Sequence, residues 1–89
     1  MKTTLKHTKN PLVGWDISAT ATAEKDEKMA RAQIFVNDFS EYDETFDEPL
    51  SSWQQQLRQQ GDYPEDNKVK LIVTDVDGKD TVAEDAWGS

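Results

Sequence analysis

From Val13 to Glu24 the chain alternates without interruption. Val13, Trp15, Ile17, Ala19, Ala21 and Ala23 fall on one phase, and Gly14, Asp16, Ser18, Thr20, Thr22 and Glu24 on the other. An extended backbone sends successive side chains to opposite faces, so this period of two predicts a strand with one dry face and one wet face. A helix would scatter the same apolar set around its axis. The alanines imply close approach to a facing layer. The charged run Glu24-Lys25-Asp26-Glu27-Lys28 then predicts a loop.

The alternation resumes at residue 29. Ala30, Ala32, Ile34 and Val36 are expected on one face, with Met29, Arg31, Gln33, Phe35 and Asn37 on the other. Asn37-Asp38 has turn chemistry, because both side chains tolerate the left-handed region. Tyr42, Glu44 and Phe46 share a face of a short strand over 41–46, and its acids would discourage edge-to-edge pairing with another chain. Pro49 lacks a backbone donor and restricts Glu48, which predicts a stop. Between 67 and 74, Val69, Leu71 and Val73 oppose Lys68 and Lys70. Asp77-Gly78 follows in a hairpin context, and residues 79–87 return as the last strand. Residues 3–8, anchored by Leu5 alone, read as an edge strand.

Residues 50–60 fit two elements. Leu50, Trp53 and Leu57 stand at helical spacing, Ser51 and Gln54 resemble a capping box, and Gly61 suits a helix end. Trp53, Gln55 and Leu57 equally share one face of a strand. On local rules the stretch is a short helix and the fold α+β.

The succession as a whole resembles a bacterial immunoglobulin-like, or fibronectin-III-like, domain. The residues that carry the resemblance are the long alternating strand ending in Ala-Thr-Ala, the charged loop, and Ala32-Gln33-Ile34-Phe35-Val36-Asn37-Asp38. Then come Phe46-Asp47-Glu48-Pro49 with Ser52-Trp53, Asn67-Lys68-Val69-Lys70, and Thr74-Asp75-Val76-Asp77-Gly78. The resemblance spans about residues 12–87. It implies an all-β fold, an antiparallel sandwich of about seven strands, and turns 50–60 into a strand with Trp53 and Leu57 in the core. It also implies a module of a larger surface protein or glycan-active enzyme.

Length changes this picture little: 89 residues make one domain, 1–89, with an ordered core over about 12–87. Charge changes it more. The formal net charge is −8, and residues 38–48 hold Asp38, Glu41, Asp43, Glu44, Asp47 and Glu48 with no base. Such a surface repels nucleic acid and anionic lipid, so neither direct nucleic-acid binding nor membrane insertion is expected. The partner would be a protein or a glycan, and the chain a monomer. No apolar stretch suited to a signal peptide follows the basic start. The compartment stays open: a surface location if the domain is cut from a longer chain, the cytoplasm if Met1 is the native start.

Candidate chemistry is sparse. Cysteine is absent, and His7 is the single imidazole, expected to be a solvated side chain near a chain end. No nucleophile, base and orienting group can be assembled, so no enzyme is expected and no cofactor is required. The best metal candidate is calcium, which takes oxygen ligands. In the sandwich topology the loop after the second strand and the loop after the sixth lie at one end, which would bring Asp26 and Glu27 toward Asp75 and Asp77. The same residues fit an ordinary Asp-Gly hairpin beside an exposed loop. Among the aromatics Trp15 and Trp53 are expected in the core, whereas Phe39 and Tyr63 fall in turn or loop segments and are the candidate ligand-binding pair. Two functions remain. One is a non-enzymatic spacer, support or binding module. The other is a free-standing acidic protein that masks a basic nucleic-acid-binding partner through 38–48.

Overall fold

The computed structural model describes residues 1–10, 14–59 and 66–88, and every element in them is a strand. They are β1 (Lys2–Asn10), β2 (Gly14–Thr22), β3 (Met29–Val36), β4 (Phe39–Leu50), β5 (Ser52–Gln59), β6 (Asp66–Asp75) and β7 (Asp80–Gly88). Seven strands form two antiparallel sheets, one ordered β1-β2-β5 and the other β4-β3-β6-β7. The two sheets stack into a sandwich, as the alternating sequence requires: each has one apolar face that must be covered. The stretch 50–60 is resolved as strand over its described part. Ala19 pairs with Gln55 and Ala21 with Trp53, which places Trp53 over the alanine face. The helical cues lose because a strand buries Trp53 against Ala21, while a helix there would leave β2 with an open edge. Val13 and Gly61 lie outside the described residues.

One apolar interior joins the layers. Ile17, Ala19 and Ala21 of β2, Ala32, Ile34 and Val36 of β3, and Val69, Leu71 and Val73 of β6 are all buried, with Trp53 completing the cluster. Burying each branched aliphatic side chain contributes about 1.5–3 kcal/mol, so these central strands dominate stability. Leu5, Tyr42, Phe46, Leu50, Leu57, Ala83 and Trp87 pack around the rim.

Three local features depart from simple alternation. The register of β3 slips between Met29 and Arg31, a bulge that turns Met29 fully into the core and leaves Ala30 only half-buried. The expected assignment of these two residues is therefore reversed, because one extra residue inverts the phase before it. β4 is 12 residues long rather than a short strand, and Pro49 lies inside it. Pro49 is tolerated because β4 is an edge and its register with β3 jumps from Thr45 to Leu50. Trp15 is half-buried at the side of the sandwich rather than in the core.

The turns follow their chemistry. Asn37 and Asp38 both have positive φ, at 50° and 71°, between Val36 and Phe39, which pair directly. Two left-handed residues match the twist of the hairpin they join. Asn37 also clamps the turn to β6: its Oδ1 accepts the Lys68 N–H at 2.9 Å, and its Nδ2 donates to the buried Asn67 Oδ1 at 3.2 Å. At the β6–β7 turn Gly78 takes φ 86°, and its N–H donates to the Asp75 carbonyl at 3.0 Å.

Candidate functional site

The pole formed by the β2–β3 and β6–β7 loops holds the four acids singled out for calcium. The loops do meet, since the Val76 N–H donates to the Lys28 carbonyl at 3.0 Å. Two of the four carboxylates already have other partners. Asp75 is almost fully buried, and its Oδ1 accepts the backbone N–H of Asp77 at 2.9 Å and of Lys79 at 2.8 Å. That arrangement builds the turn itself. Glu27 accepts the α-ammonium of Met1 at 2.9 Å and the Glu24 N–H at 3.1 Å. The hydrogen bond from the ammonium, then that from Glu24, holds the Glu27 carboxyl below its ordinary range, while Asp75 nearby pushes the other way. Asp26, at φ 69°, and Asp77 are exposed at the two loop tips. Among the described residues no group of three or more acidic or imidazole side chains is gathered as a metal would need.

Of the two aromatics expected at a ligand surface, Phe39 is 71% exposed at the start of β4, just past the β3–β4 turn. Tyr63 lies outside the described residues.

Two clusters escape the alternation argument. The first closes the side where β1 meets β7. His7 stacks on Trp87 with ring centroids 4.3 Å apart, meets Trp15 edge-on at 5.5 Å, and places Nδ1 2.5 Å from Asp85 Oδ2. Trp15 and Trp87 are 5.2 Å apart, so three rings and a carboxylate form one unit. The Trp87 indole N–H is buried with no acceptor among the described residues. A sequence signal for this unit exists. His7 is in phase with Leu5, and Asp85 with Ala83 and Trp87, so both polar groups belong to inward faces.

The second cluster lies on the opposite side, along β4 and β5. The chain passes from one sheet to the other at Ser51, whose carbonyl accepts the Ala23 N–H at 2.8 Å and whose hydroxyl accepts Lys28 Nζ at 2.5 Å. Beyond that crossing the two sheet edges diverge around an open groove of about 420 Å³. Its apolar wall is Tyr42, Phe46, Leu50 and Trp53, and its rim carries Glu44, Asp47, Glu48, Gln54 and Gln55. Tyr42 and Trp53 rings are 5.8 Å apart, and the Trp53 indole N–H points to the Tyr42 hydroxyl at 3.4 Å. That hydroxyl donates to Glu44. Burial first, and the bond to Glu44 second, push the Tyr42 phenol up from its ordinary range.

Charge divides the two layers. The strands of the β1-β2-β5 sheet carry four lysines and arginines against one acid; those of the other sheet carry three against ten. Five of the ten acids are on β4. Asp43 is clamped by Arg31 through two bonds, Nε to Oδ1 at 2.9 Å and Nη2 to Oδ2 at 2.7 Å. The guanidinium holds the Asp43 carboxyl below the usual aspartate range. Glu41, Asp47 and Glu48 have no ion-pair partner among the described residues.

The fold and this groove define a seven-strand antiparallel β-sandwich with one side sealed by rings and one side open and acidic. No family model matches the sequence, and no curated protein matches it either.

Proposed function

We propose that the chain is a non-enzymatic immunoglobulin-like module of a larger bacterial protein, acting as a spacer that holds neighbouring parts apart while offering its surface to a protein or glycan. The observation that carries this reading is where the chain enters and leaves. Lys2 pairs with Thr22 beside the Lys28–Val76 pole, whereas Gly88 pairs with Asp66 at the far end of β6. Chain ends at opposite poles suit modules joined in a row. The long dimension is 41 Å against 19 Å in the other two, and the β4 strand alone spans roughly 40 Å at about 3.3 Å per residue, so the long axis follows the strands. The exposed Phe39 ring supports a contact role at the pole opposite the acidic loops.

A tandem fusion of two copies through a short linker tests the spacer role by small-angle scattering. The reading expects a maximum dimension near twice that of one copy. A folded pair no longer than a side-by-side dimer overturns it.

A second reading is favoured by the concentration of carboxylates on the β4-β3-β6-β7 sheet: a free-standing protein that masks a basic nucleic-acid-binding surface. It expects competition with DNA for a basic protein, lost on adding salt. Failure to displace DNA at low salt argues against it.

A further inference from the structure

We propose that the groove between β4 and β5 is a docking site for an extended segment of another protein, rich in lysine or arginine, that adds to the free edge of β4 as a further strand. Holding neighbours apart needs no such groove, so this goes beyond the spacer reading and stands without it.

Three features converge there. Among the described residues β4 is an outer strand with a neighbour on one side only, so its other side presents backbone N–H and C=O groups that no described strand pairs. From Asp43 to Thr45 it keeps an unbroken register with β3, and a straight edge is what an incoming strand needs. An added strand would send every second side chain over the half-covered Tyr42 and Phe46, with the buried Trp53 behind them.

Charge selects the occupant. Five carboxylates in 12 residues leave β4 with no lysine or arginine of its own, and Glu41, Asp47 and Glu48 carry no ion pair among the described residues. A second copy pairing edge to edge would set these acids against their own kind, which excludes a symmetric β4–β4 dimer. A basic segment finds the opposite: carboxylates along both faces of the strand, Glu44 and Glu48 on the groove side, and an aromatic wall for its apolar or cationic side chains. Pro49, the broken register after Thr45 and the register shift between Tyr42 and Ser40 limit the strand-like contact to residues 42–45 and leave Asp47 and Glu48 to act through charge.

The test titrates isotope-labelled protein with a peptide of about ten residues, the length of a long strand, alternating lysine and valine. Three controls accompany it: a glutamate-for-lysine peptide, a peptide N-methylated on alternate residues, and a triple variant E44Q/D47N/E48Q. Amide shifts confined to residues 40–48 and the Trp53 indole are expected. So are loss of binding with the N-methylated and acidic peptides, and weakening by an order of magnitude or more in the triple variant. These three substitutions are on exposed side chains, and retained amide dispersion checks that the variant is folded. Equal binding of the N-methylated peptide overturns strand addition. Shifts spread over Glu84 and the 24–28 loop, or no binding at low salt, overturn the site.

Discussion

Along β1 and β7 the sandwich is shut by side chains; along β4 and β5 it is shut by the chain itself, and only as far as Ser51. On the first side His7, Trp15 and Trp87 fill the gap between the sheets, with Asp85 fixing the imidazole. On the second the backbone crosses from sheet to sheet, after which the edges part around Tyr42, Phe46, Leu50 and Trp53. The lesson lies in what each side has left over. The ring-filled side pairs His7 with Asp85 and leaves the buried Trp87 indole N–H without an acceptor among the described residues. The chain-crossed side keeps a groove, a free strand edge and unmatched carboxylates. Between the two sides, the first is expected to contribute more to stability and the second more to recognition.

Truncating the ring stack is the strongest way to break this contrast. Trp87→Ala removes the surface on which His7 stacks and opens the β1–β7 side; about 2–4 kcal/mol should be lost in denaturant unfolding. Trp87→Phe keeps the ring and discards the buried indole N–H, so it should cost far less than the alanine change. Equal losses for the two would mean that stacking is not what seals this side. On the open side Phe46→Ala removes a half-buried ring from the groove wall and should cost less than Trp87→Ala, about 1–2 kcal/mol. A larger loss there would reverse the assignment of the two sides.

Next in size comes the acid pole. Asp75→Ala leaves the N–H groups of Asp77 and Lys79 without their acceptor and should cost about 2 kcal/mol, since charge-assisted bonds are the stronger class. Asp77→Ala, at an exposed tip, should cost little. If the two cost the same, Asp75 is not the residue that organises this turn. Gly78→Ala meets open space but a φ of 86°, so backbone strain alone should cost about 1–2 kcal/mol.

The smallest effects are those of pH, and two of them lie on β4. Asp43 has its folded-state pKa depressed by Arg31, so its contribution is present above the ordinary aspartate range, about 4, and is lost as pH falls through the folded value. Tyr42 has its pKa raised, so its contribution is full below about 10 and is lost as pH rises through the folded value. Thermal unfolding midpoints across both windows should fall slightly at each end. Arg31→Gln should weaken the acid-side dependence, to which Glu27 also contributes, and Tyr42→Phe the alkaline one. Unchanged pH profiles in these variants would show that the clamps do not hold in solution.

Most strands were legible from alternation alone, because in a two-layer fold the side-chain period and the burial period coincide. Ile17, Ile34, Leu71 and Val73 declared their face without help, and Asn37-Asp38 and Asp77-Gly78 declared their turns. Residues 50–60 did not. Their apolar positions satisfy two periods at once, and only the pairing of Trp53 with Ala21 removes the ambiguity. Alternation alone puts Met29 on the wrong face, because a bulge is a property of two strands in register and no single strand records it. The candidate sites were less legible still. The loops bearing Asp26, Glu27, Asp75 and Asp77 do share a pole, as topology implies. The amides that engage Asp75 come from Asp77 and Lys79 in its own turn, whereas the ammonium that engages Glu27 is brought from Met1 across the fold.

Local chemistry, then, was enough for most strands, the turns and most of the inward phase, since each depends on neighbours within a few residues. The His7–Trp15–Trp87–Asp85 seal and the open β4–β5 groove depend on which edges face each other once two sheets are stacked. That is long-range geometry: residues 7 and 85 lie at opposite ends of the chain, and nothing short of the closed sandwich brings them within hydrogen-bond distance.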